Sequence, residues 1–116
     1  MISIGYTQSI DFKDDYYKLV SDKSSIHFTF YPTGLIASLD FNKQYSLTEE
    51  ISDELTPYLM EATDKNEINH FLSGVGFSND AASLYIKPNT KIDLDVLTKI
   101  ENTLNDVVCV IESKLI

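Results

Sequence analysis

Hydrophobic residues recur at every second position in some stretches of this chain and at every third or fourth in others, and the change of spacing marks out its elements. Ile26, Phe28 and Phe30 alternate with His27, Thr29 and Tyr31; after Pro32-Thr33-Gly34, Leu35, Ala37, Leu39 and Phe41 share one face of a returning strand. Pro sets φ and Gly permits a left-handed turn position, so the pattern predicts a β-hairpin. Ala82, Leu84 and Ile86 alternate in the same way before Pro88-Asn89 and predict a further strand. Ile2, Ile4 and Tyr6 suit a first strand.

Helical spacing takes over from Leu47. Ser46-Leu47-Thr48-Glu49 matches a capping box, in which Ser46 and Glu49 would each satisfy an orphan backbone donor. Leu47, Ile51, Leu55, Leu59 and Ala62 follow at steps of three and four. Pro57 is expected to restart or kink this helix. Asp64 to Glu67 reads as a second cap, with Ile68, Phe71 and Leu72 as an apolar face and Gly74 as the stop, so the middle is expected to be a broken helical region. From Asp93 on, Leu94, Leu97, Ile100, Leu104, Val108, Ile111 and Leu115 predict one long amphipathic helix. The β-branched run Val107 to Ile111 is a competing strand signal. Between Asp11 and Asp22, Phe12, Tyr16, Leu19 and Val20 favour a helix capped by Asp11, with a strand over Tyr16 to Val20 as the alternative.

The order of these elements predicts an α+β fold, a small antiparallel sheet with a central β-hairpin packed against helices on one face. No repeat or Pro/Gly/Ser linker divides the 116 residues, so 1–116 reads as a single globular domain. Seven Tyr and six Phe against four Gly and three Pro supply a core without disulfide staples.

Charge changes the functional picture. The formal net charge is −9, and all nine cations are Lys. A chain with twice as many acids as cations is not expected to bind nucleic acid or an anionic membrane. Met1 to Tyr6 has neither a basic nor an apolar leader pattern, and the longest apolar run, Val107 to Ile111, is too short for a bilayer, so a soluble, cytoplasmic protein is expected. The absence of Arg fits an AT-rich genome and also removes the best bidentate anion ligand.

Groups suited to catalysis are few. There are two His, His27 and His70, and one Cys, Cys109, which lies in an apolar run and is expected to be a buried, structural thiol. Glu67 and His70 stand at i and i+3, half of the paired Glu-x-x-His units of di-metal bundles. Asp93-Leu94-Asp95 lacks the Gly and Glu of a calcium loop and reads as a helix cap. No phosphate loop, nucleophile elbow or Cys-x-x-Cys occurs. Neither a cofactor nor a metal is expected, and an enzyme would require His27, His70 or Cys109 to meet in a concave site.

Between Glu49 and Glu67, in contrast, seven carboxylates face one cation, Lys65. On a helix, positions 50, 54, 57, 61 and 64 run opposite the apolar series 47, 51, 55, 58 and 62, which gives a strip of acids along one side. Like charges at i, i+4 each cost a few tenths of a kcal/mol, so their retention points to a partner. Glu50, Asp53, Glu54, Glu61, Asp64 and Glu67, with Tyr58 as an aromatic anchor, are the candidate partner-binding residues. The reading that follows is a small acidic inhibitor of a cationic protein: a bacterial immunity protein blocking a nuclease-type toxin, or a nucleic-acid mimic. The alternative is an acidic chaperone for a secreted effector, which would dimerise and hold its client in an apolar groove.

Overall fold

The computed structural model describes residues 6–8, 14–32 and 34–116. Six strands form one antiparallel sheet: β1 (Thr7–Gln8), β2 (Asp15–Leu19), β3 (Ser24–Tyr31), β4 (Gly34–Phe41), β5 (Leu72–Phe77) and β6 (Ala81–Ile86), in the spatial order β1-β2-β3-β4-β6-β5. Helix α1 (Glu49–Lys65) joins β4 to β5, and α2 (Leu94–Glu112) ends the fold. The architecture is α+β.

The hairpin of β3 and β4 runs in continuous register from Ser24↔Phe41 to Tyr31↔Gly34. Thr33 in its connection lies outside the described residues. Its period-two pattern decides which face is buried: Ile26, Phe28, Leu35, Ala37, Leu39 and Phe41 join Ala82, Leu84 and Ile86 of β6 in the core. Leu55, Leu59 and Ala62 of α1 and Ile100, Leu104, Val107 and Ile111 of α2 close over the same face. The opposite face carries the row Tyr17, His27, Ser38 and Ser83 across four strands.

Helix α2 is continuous through Val107 to Ile111, so the heptad-like spacing prevails over the β-branched run. Asp93 is its N-cap, accepting from the Val96 N–H at 2.9 Å. No helix among the described residues is long and apolar enough to cross a membrane.

Five local expectations are corrected. The stretch favoured as a helix after Asp11 is strand β2 over residues 15–19, paired along its length with β3; Asp11 and Phe12 lie outside the described residues, as do Ile2 and Ile4 of the expected first strand. Tyr16 packs edge-on against Phe30, and this cross-strand contact outweighs the local helical spacing. The cap of α1 is Thr48, whose hydroxyl accepts from the Ile51 N–H at 3.2 Å. Ser46 instead exchanges two backbone hydrogen bonds, each 2.9 Å, with Ile116.

Pro57 does not break α1, which runs unbroken for 17 residues. Pro57 and Asp53 are both exposed, so water can take the Asp53 carbonyl that the missing N–H leaves open. The expected second helix after Asp64 is absent: Asn66 caps α1, Glu67 turns the chain at φ 59°, Asn69–Phe71 form one 3-10 turn, and Leu72 begins β5. Ile68 and Phe71 are buried as anticipated, in a turn and not along a helix. Cys109, expected to be buried, is exposed, because α2 turns Val107, Val108 and Ile111 to the core and position 109 outward.

Candidate functional site

Helix α1 sets the geometry of the acidic segment. Its buried residues, Leu55, Leu59, Ala62 and Thr63, fix one face inward, and 3.6 residues per turn then place Glu50, Asp53, Glu54, Glu61 and Asp64 outward, where all five are exposed. Among the described residues none of them lies within ion-pair distance of a cation. Lys65, the one cation of the segment, points to Asp106 of α2 at 3.5 Å. Asp64 accepts a hydrogen bond from the Asn69 side-chain amide. Glu67 is exposed but stands beyond the helix in its left-handed turn, so it does not continue the strip.

Apolar side chains flank the acids on both sides. Tyr58 is 53% exposed on the side facing α2, where it borders a hollow with Glu61, Lys65, Asp106 and Val110. Met60, 45% exposed, lies on the other flank, above a cleft of about 280 Å³ lined by Leu72, Gly74 and Val75. A second cleft of about 400 Å³ lies between the first turns of α1, at Glu49, Asp53 and Thr56, and Phe77 to Asn79. Sequence reasoning anticipated Tyr58 and missed Met60, since the neighbours that make Met60 matter arrive with β5.

The three groups an enzyme would have to bring together stay apart. His27 is on the open face of the sheet, His70 is in the 3-10 turn with its ring edge-on to Phe71, and Cys109 is on the outer side of α2. Glu67 and His70 share no helix. No group of three or more His, Cys, Asp or Glu able to hold a metal ion occurs among the described residues.

A polar array that the sequence did not suggest surrounds His27. Its Nε2 is 3.0 Å from the Ser25 Oγ and 3.6 Å from Asp40, its Nδ1 is 3.3 Å from Asp15, and the Tyr17 ring stacks on it. The register Asp15↔Thr29 and Ser25↔Asp40 creates the array, and no linear spacing announces it. Its Ser-His-Asp order resembles a hydrolytic triad. Strand β3 is paired on both sides, however, so the ladders use the backbone N–H groups that would have to stabilise an oxyanion beside Ser25. The array ties three strands together.

At the far edge, Tyr6 donates to Glu101 at 3.1 Å, and Lys18 pairs with the same carboxylate at 3.0 Å. Burial first, and the Glu101 charge second, hold the Tyr6 phenol above its ordinary range.

No protein-family model, curated protein or solved structure matches this chain.

Proposed function

We propose that this chain is a small acidic binding protein that acts by holding a cationic protein partner and carries out no reaction of its own. The observation that supports this most directly is the outer face of α1, where Glu50, Asp53, Glu54 and Glu61 have no cation partner among the described residues while Lys65 is engaged elsewhere. A strip of carboxylates with an exposed Tyr58 beside it can take the place of phosphates in a basic groove and speed the encounter. The partner of this description is a nuclease-type toxin, and the role is that of a cytoplasmic immunity protein.

The triple substitution Glu50→Gln, Glu54→Gln and Glu61→Gln tests the reading. Shape and helix propensity persist, so folding is expected to be unchanged while association with the cationic protein partner slows, most at low ionic strength. Equal association rates for variant and parent at low salt would overturn it.

The cleft under Met60 favours a second reading, an acidic chaperone that holds an extended segment of a secreted effector. This reading entails a dimer. Sedimentation velocity separates the two, because the inhibitor needs only one copy.

A further inference from the structure

Among the described residues, strand β5 lies at the edge of the sheet, bonded to β6 on one side and to no strand on the other. Edges of this kind are ordinarily blunted by charge, Pro or extreme shortness. The other edge, β1, is two residues long among the described residues. The six residues of β5, Leu-Ser-Gly-Val-Gly-Phe, contain neither a charge nor a Pro.

The ladder shows which backbone groups face outward. The Ser78 N–H donates to the Ala81 carbonyl, and the alternation of an antiparallel pair then directs Gly76 and Gly74 at Ser83 and Tyr85. Val75 and Phe77 therefore aim their backbone N–H and C=O groups away from the sheet, and no hydrogen bond among the described residues occupies them. Their side chains point to the α1 side, half-buried at the rim of the core.

Helix α1 runs antiparallel to this edge, since its first turns meet Phe77 to Asn79 and Met60 meets Leu72 to Val75. The two clefts thus follow one another along the β5 edge, and together they outline a trough. Its floor is the β5 edge with Val75 and Phe77. Its wall is Met60 in the middle and Asp53 toward one end; toward the other, Asp64 stands behind the Asn69 that lines the cleft and is bonded to it.

We infer that the trough takes an extended, cationic segment of a protein partner as a seventh strand. The segment's backbone bonds to Val75 and Phe77, its apolar residues pack on Met60, and its Lys or Arg side chains reach Asp53 and Asp64. Charge complementarity selects this occupant over a second copy, because pairing β5 with its symmetry mate would bring two uncompensated α1 faces together. The inference rests on the partner-binding reading above and names the segment that the partner presents.

The test uses the full chain and a synthetic peptide of alternating Val and Lys, seven residues long, with blocked ends. Fluorescence anisotropy at low salt is expected to show binding, and amide signals of Gly74 to Phe77 are expected to shift in heteronuclear NMR. The same peptide N-methylated at alternate residues keeps its charge and loses its strand-pairing edge, so its binding is expected to weaken by roughly tenfold or more. A Val/Glu analogue is expected not to bind, and Asp53→Asn with Asp64→Asn is expected to weaken the Val/Lys peptide in a salt-dependent way.

Equal binding of the methylated and parent peptides would overturn strand addition, as would protection of the β5 amides in a dimer of the free protein. The Glu50, Glu54 and Glu61 strip is left intact throughout. If the peptide fails while the natural partner still binds through that strip, only this inference falls; loss of both removes the function reading as well.

Discussion

The two helices, of 17 and 19 residues, both carry many carboxylates and use them in opposite ways. Every acid of α2 has a partner. Asp95 pairs with Lys99, Glu101 with Lys18 and Tyr6, Asp106 with Lys65 and Asn66, and Glu112 accepts from Ser21 and Ser24. On α1, Asp64 takes Asn69, and Glu50, Asp53, Glu54 and Glu61 reach no cation among the described residues. Glu112 shows how far the difference goes. It sits in the last turn of α2, where the helix dipole disfavours a carboxylate, yet two hydroxyls hold it there. Apart from Asp95, whose partner is on the same helix, the acids of α2 connect elements, whereas those of α1 leave their charge available to something outside the chain.

The largest expected effect breaks the α2 side of this comparison. Glu112→Ala leaves the fully buried Ser24 hydroxyl without an acceptor, so the variant is expected to lose about 2–3 kcal/mol in urea unfolding. Glu112→Gln, which keeps one acceptor oxygen, is expected to lose less.

Glu101→Gln removes one half-exposed ion pair and weakens the bond to Tyr6, with an expected loss of about 1 kcal/mol in the same assay. It also removes one cause of the raised Tyr6 titration, which spectrophotometric titration of the phenols would detect as a return toward the ordinary range. A phenol whose folded pKa lies above its unfolded value of about 10 adds stability that is complete below that value and is lost as pH rises toward the folded one. The parent is therefore expected to become less stable above about pH 10, and Tyr6→Phe is expected to flatten that fall in urea midpoints measured across the alkaline range.

On the α1 side the sign reverses. Glu50→Gln and Glu54→Gln relieve one i,i+4 repulsion, and for the triple variant with Glu61→Gln a gain of a few tenths of a kcal/mol in urea unfolding is expected beside the slower partner association. A clear loss of stability would mean that these acids do structural work like those of α2.

The smallest effect concerns the outer side of α2. Cys109 is exposed and is expected to react promptly with a thiol reagent in the folded protein, while Cys109→Ser stays within about 0.5 kcal/mol of the parent.

What could be read from the chain alone follows from how local each signal is. The β3–β4 hairpin, β6 and α2 declare themselves because their hydrophobic periods run long enough to name both the element and its buried face. Ile26, Phe28, Leu84, Ile100 and Leu104 are core residues for that reason. The acids of α1 were equally legible, since a helix with Leu55 and Leu59 inward must carry Glu50, Glu54 and Glu61 outward.

The tertiary structure decided everything that depends on a neighbour distant in sequence. Tyr16 to Leu19 became a strand because β3 was there to pair with it, and Leu72 to Phe77 because β6 was. Ser46 gave up its capping role to a backbone exchange with Ile116, seventy residues away. The same holds for the charges: composition counts them, and only the packed helices show that Lys65 answers Asp106 while no cation among the described residues answers the strip beside it. Periodicity is a property of one segment, but pairing of strands, hydrogen bonds and charges belongs to two, and a single sequence records the second only after the chain has folded.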